Sequence, residues 1–116
     1  MPETGRGQLQ VFKAEFFKAL AHPLRIRILE LLLEGERSVQ ELQGSLNIDQ
    51  PIDSQQLAIL RAKNIVEARK QGSAIRYAVR DPALGGLLRA ARKIFNNHLV
   101  GNQTMLRELT RESRKR

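Results

Sequence analysis

Residues 49–63, DQPIDSQQLAILRAK, hold the densest set of side chains able to read a nucleic acid. Reading base edges in the major groove takes a slim helix whose side chains both donate and accept, with cations nearby for phosphate. With Leu57 and Leu60, and Ile52 or Asp53 one turn earlier, on the buried side of such a helix, Gln50, Ser54, Gln55 and Ala58 face outward near its N-terminal half. That half is the part a recognition helix inserts. Pro51 lies in the same stretch, and Arg61 supplies a cation near its end. A glutamine amide can grip adenine with two hydrogen bonds, and a serine hydroxyl can serve a base or a phosphate. The same residue types also populate ordinary solvated helix faces, so what surrounds them decides their meaning.

Other chemistries are poorly provided for. The 116 residues include no cysteine and two histidines. Disulfides, thiolate–zinc sites and thiol nucleophiles are therefore excluded. No close His–acid pairing and no Gly-rich phosphate loop is present, so an enzyme is not expected, and neither is a cofactor or a metal. The longest apolar stretch, Ile28–Leu33, is broken by Glu30 and is too short to cross a bilayer. With Glu3 and no apolar run, the N-terminus does not read as a signal peptide. A cytoplasmic location is the expectation.

Charge is unevenly distributed. The chain carries +8 overall, with a net −2 over residues 1–53 and a net +10 over residues 54–116. Between Arg61 and Arg80, six basic residues (Arg61, Lys63, Arg69, Lys70, Arg76, Arg80) face one acid, Glu67, so a polyanion meets a directed field there.

The elements that must position these groups follow from periodicity. Leu9, Phe12, Phe16, Phe17 and Leu20 recur at helical spacing over residues 8–21. Pro23 suits the first turn of a second helix lined by Leu24, Ile28, Leu31 and Leu32 and closed by Gly35. Ser38 with Glu41 three residues on forms a capping-box pattern that opens a third helix carrying Leu42 and Leu46. A turn at Asn47–Asp49 leads to the fourth helix. After Lys63 the period changes: Ile65–Arg69 and Ala74–Val79, separated by Gln71-Gly72-Ser73, read as a β-hairpin with Lys70, Gln71 and Ser73 at its tip. One long helix follows from Asp81-Pro82, with a stripe running from Leu84 to Leu109 and Gly101 as its weak point. The expectation is a single mainly α domain over residues 1–116, a winged helix-turn-helix of four helices, a β-hairpin and a final helix. Its ends, 1–7 and 111–116, are expected to be mobile.

The run FKALAHPLRIRILELLLEGERSVQELQGSLNIDQPIDSQQLAILRAKNIVEARKQGSAIRYAV resembles the ArsR/SmtB family of bacterial winged-helix repressors. The likeness spans residues 12–80. It is carried by LAHPLR-x-x-IL, by S-x-x-L-x-x-L at Ser54–Leu60, and by NIVEARKQG-x-x-x-x-Y. The resemblance implies a homodimer in which the first and last helices of both chains pack together and the fourth helix enters the major groove of double-stranded DNA.

The apolar stripes independently ask for that dimer, because they exceed what one small protomer can cover. Its expected interface is Leu9, Phe12, Phe16, Leu87, Ala91, Ile94, Phe95, His98 and Met105. The expected DNA contacts are Gln50, Pro51, Ser54, Gln55 and Arg61 from the recognition helix, with Arg69, Lys70, Gln71, Ser73 and Arg76 from the wing. Two departures from the family stand out. Ser38 and Gln40 occupy the positions where metal-sensing members carry a Cys-x-Cys pair, and the last helix offers a lone His98, so no metal sensing is expected. Asp53 replaces a usually apolar residue, which leaves the helix start open between Asp49 and Asp53 and puts Gln50 and Pro51 in question. The leading function is a repressor on an inverted-repeat operator. The competing one is a winged helix whose basic face binds an acidic protein or nucleic acid without base preference. Relief of binding, by a small molecule near Phe95 and His98 or by no ligand at all, stays open.

Overall fold

The computed structural model describes residues 5–46, 54–98 and 103–114. They form α1 (Gly5–Leu20), α2 (Pro23–Glu34), β1 (Arg37–Ser38), α3 (Val39–Leu46), α4 (Ser54–Ala62), β2 (Val66–Gln71), β3 (Ala74–Val79), α5 (Ala83–His98) and α6 (Gln103–Arg114). The chain divides into two compact units, residues 1–81 and 82–116.

In the first unit the starts of α2 and α3 and the end of α4 have identifiable causes. Pro23 occupies the first turn of α2, where its missing amide hydrogen would have had no helical partner. His22 caps that helix, its Nδ1 accepting the Leu24 amide at 3.1 Å. The capping box expected at α3 is present: the Ser38 amide donates to Glu41 Oε1 at 2.9 Å and the Glu41 amide donates to Ser38 Oγ at 3.2 Å. At the end of α4 the chain turns back through Asn64, which adopts φ 59°. There the Ile65 amide donates to Leu60 O at 3.0 Å and the Asn64 amide to Arg61 O at 2.9 Å. These two bonds make a Schellman motif, which needs a left-handed residue at the position Asn64 fills.

Ile28, Leu29, Leu42, Leu46 and Leu60 are the largest fully buried side chains. Burying each stabilises the fold by about 1.5–3 kcal/mol relative to leaving it in water. They come from α2, α3 and α4, so the helix-turn-helix pair is fixed to α2 by one shared core.

The hairpin extends further than the periodicity suggests. β2 and β3 pair antiparallel from Val66↔Val79 to Gln71↔Ala74, leaving Gly72 and Ser73 as a two-residue loop. Gly72 takes φ 62° at the first loop position, as a type II′ turn requires. A third strand joins it: β1 pairs with β3 through Arg37↔Tyr77 and Ser38↔Arg76, giving the order β1-β3-β2.

The second unit corrects one expectation. The stripe from Leu84 to Leu109 belongs to two helices, because α5 ends at His98 and α6 begins at Gln103. Helix α6 runs through Arg114, into the stretch from residue 111 expected to be mobile. Glu112 Oε1 lies 3.8 Å from Arg92 Nε, an ion pair that links α6 to α5. At the other end, helix α1 already begins at Gly5, within the stretch expected to be mobile.

Candidate nucleic-acid interface

Helix α4 is amphipathic in the sense its sequence requires. Leu57 and Leu60 are buried, while Gln55, Ala58 and Ala62 are exposed on the opposite arc and Arg61 is exposed beside the seam. Ser54 opens the helix. Gln50 and Pro51 lie outside the described residues, as do Asp49 and Asp53, the alternative starts.

Two contacts fix the orientation of this helix. Arg25 of α2 donates from Nη1 to Gln56 Oε1 at 2.7 Å, from Nε to Ala19 O at 2.6 Å and from Nη2 to Lys18 O at 3.5 Å. Lys18 and Ala19 lie in the last turn of α1, where the Lys18 carbonyl also accepts the Ala21 amide at 3.1 Å and carbonyls run short of helical amides. One guanidinium thus satisfies the end of α1 and holds the flank of α4. Near the other end of α4, Lys63 Nζ lies 3.4 Å from Glu15 Oε1 of α1. Sequence reading missed the Arg25–Gln56 bond, since nothing in either segment marks a pair 31 residues apart.

In the wing, Lys70, Gln71 and Ser73 are exposed at or beside the turn, as expected. Arg69 and Arg76 occupy a different environment. They are direct partners across the β2–β3 ladder. Glu36, from the turn before β1, takes both: its Oε2 accepts from Arg69 Nη2 and its Oε1 accepts from Arg76 Nε at 3.2 Å. Arg76 also donates from Nη2 to Glu36 O at 2.9 Å and from Nη1 to Glu41 Oε1 at 2.9 Å. Two carboxylates therefore balance two of the six basic groups that gave the segment its charge. Among the described residues Arg61, Lys70 and Arg80 are exposed and make no ion pair.

These contacts shift the acids. The Arg69 hydrogen bond holds the Glu36 carboxyl below its ordinary value, against an opposing effect of partial burial and with further help from Arg76. Glu41 is lowered first by the Ser38 amide and then, with desolvation opposing, by Arg76.

Of the residues expected at a dimer interface, Phe12, Ile94, Phe95, Leu9 and Met105 leave 72, 63, 52, 50 and 45% of their surface exposed. His98 is exposed, and Phe16, Leu87 and Ala91 are half-buried. Among the described residues no group of three or more His, Asp or Glu is placed to hold a metal ion, and no helix is long and apolar enough to cross a membrane.

Comparison with known proteins places this geometry. Residues 22–68 match the family model described as bacterial regulatory protein, arsR family. The HTH-type transcriptional regulator Rv0081 of Mycobacterium tuberculosis is 46% identical over 102 residues, covering 87% of this chain and 90% of its own. Its crystal structure aligns with a TM-score of 0.72 at 47% identity, covering 80% of this chain and 94% of that one. A biofilm growth-associated repressor of Xylella fastidiosa is 40% identical over 82 residues, 71% of this chain and 72% of its own. The homodimeric winged helix-turn-helix DNA-binding domain Mb0332 of Mycobacterium bovis aligns with a TM-score of 0.71 at 28% identity, covering 85% of this chain and 94% of that one.

Proposed function

The chain belongs to the arsR family of bacterial regulatory proteins and is a transcriptional regulator, and from that premise we propose that it represses transcription as a homodimer on an inverted-repeat operator without sensing a metal. The observation that carries the reading is the outer arc of α4. Gln55 is exposed there opposite a buried Leu57–Leu60 seam, Arg61 is exposed at the flank of that seam, and the cations Lys70 and Arg80 are exposed in and beside the adjoining hairpin.

Gln55 and Ser54 read base edges, and Arg61, Lys70, Gln71, Ser73 and Arg80 hold phosphates. Gln50 and Pro51 extend the reading stretch toward its N-terminal side. Arg69 adds a further phosphate contact, whereas Arg76 serves the wing from within. The partner is a second copy of the chain, joined through the exposed apolar residues of α1, α5 and α6, and the whole of residues 1–116 works as one DNA-binding unit. Apolar side chains this exposed on helices of a small protein support a protein contact, and a self-complementary pairing places two reading helices about one DNA turn apart. The named relatives, a biofilm growth-associated repressor and a homodimeric DNA-binding domain, support repression and pairing.

Selection of purified protein on a pool of random duplexes at two salt concentrations tests the proposal. An enriched inverted repeat with steep salt dependence is expected. Gln55→Ala should relax one position of each half-site by about 1–3 kcal/mol, and Lys70→Ala should weaken all duplexes alike. Equal retention of all sequences would remove the operator reading and leave a non-specific binder.

A further inference from the structure

We infer that Glu36 is an intramolecular stand-in for a DNA phosphate, an acid that occupies Arg69 until the DNA backbone replaces it. The inference rests on the DNA-binding reading above and concerns a residue outside the reading helix and the wing strands.

The argument starts from the ladder. Arg69 and Arg76 are opposite residues of an antiparallel pair, so their side chains share one face. Two like charges in that relation repel unless an anion lies with them. Glu36 supplies it, one carboxylate oxygen to each guanidinium. A bound phosphate would present the same pair of oxygens to the same donors.

The two arginines are held unequally. Arg76 has three acceptors, namely the Glu36 carboxylate, the Glu36 carbonyl and Glu41, and its side chain is 24% exposed. The ion pair of Arg69 is to Glu36, and its side chain is 65% exposed. An incoming phosphate therefore exchanges with Glu36 for Arg69, while Arg76 stays and keeps Glu36 in place. An exposed pair of this kind is weak, so it lowers affinity without blocking binding. Phosphates carry no base identity, so the effect is the same for every sequence. Glu36 is thus a positioning residue that sets overall affinity and not sequence preference.

The test is a double-mutant cycle of Glu36→Gln and Arg69→Ala in the full chain, read by fluorescence anisotropy on a selected duplex and a scrambled duplex. Glu36→Gln is expected to tighten both by about two- to fivefold and to steepen the log affinity–log salt slope by up to about 0.9. In the Arg69→Ala background the same change should have a clearly smaller effect on both. Additive effects of the two substitutions, or weaker binding by Glu36→Gln, would overturn the inference. If Glu36→Gln fails to fold, Arg69→Gln against Lys70→Gln decides the matter. Arg69→Gln should cost less, because release from Glu36 offsets the lost contact, and equal costs would overturn the exchange. Failure of the unaltered protein to bind either duplex would remove the DNA-binding reading and this inference with it. An additive cycle on duplexes that still bind removes the inference alone.

Discussion

Arg69 and Arg76 face one another across the β2–β3 ladder and share the carboxylate of Glu36, but Arg76 alone reaches a second acid, Glu41. That asymmetry separates a wing cation that can leave from one that holds the wing to the start of α3. Arg76→Ala should therefore lower the thermal midpoint more than Arg69→Ala does, since it strips Glu36 and Glu41 together. Melts of the two variants followed by circular dichroism check the order, and equal midpoints would contradict it.

Acid should loosen the same junction. Glu36 and Glu41 both lie below the ordinary carboxylate value of 4.5 in the folded chain. Their contribution is complete above that value and is lost as pH falls beneath it through the lowered folded values. Denaturant midpoints measured from neutral pH downward should fall across this range. The fall should be shallower in a Glu36→Gln, Glu41→Gln double variant.

The Arg25 clasp makes a prediction about rescue. Arg25→Ala leaves Gln56 Oε1 and the last carbonyls of α1 without this donor, at a cost of about 1–3 kcal/mol. Gln56→Leu removes one acceptor and should cost less, and Gln56→Glu keeps an acceptor for Arg25 and should cost least. Urea unfolding of the three variants gives the ranking. A Gln56→Glu variant as unstable as Arg25→Ala would argue against the bond.

Asn64 carries a conformational prediction. At φ 59° a residue with a β-carbon is disfavoured unless, like asparagine, it can bond locally. Asn64→Ala should cost about 1 kcal/mol, and Asn64→Gly should be neutral or stabilising. Chemical denaturation distinguishes them.

How much of this was legible in the sequence depended on range. The capping box at Ser38 and Glu41, Pro23 at the start of α2 and the buried Leu57–Leu60 seam are local patterns, and each has its expected geometry. Strand β1 is two residues long, too short for any alternation to appear. A continuous apolar stripe is equally compatible with one helix or with two in succession, which is why α5 and α6 read as one. The charge sum over residues 61–80 missed Glu36 and Glu41 because they come from outside the window and arrive only when β1 joins the sheet. The readings for Gln50 and Pro51 concern positions outside the described residues.

Among the described residues, the strand order β1-β3-β2 leaves one side of β2 without a neighbouring strand. An open strand edge invites another strand to add to it. Along VEARKQ the interior residues Glu67, Arg69 and Lys70 are charged, and charged side chains on an edge strand discourage that addition. The same chemistry that suits the wing to an anionic backbone therefore also protects the folded protein from clumping edge to edge. Exchanging these residues for valine would trade a charged edge for an aggregation seed.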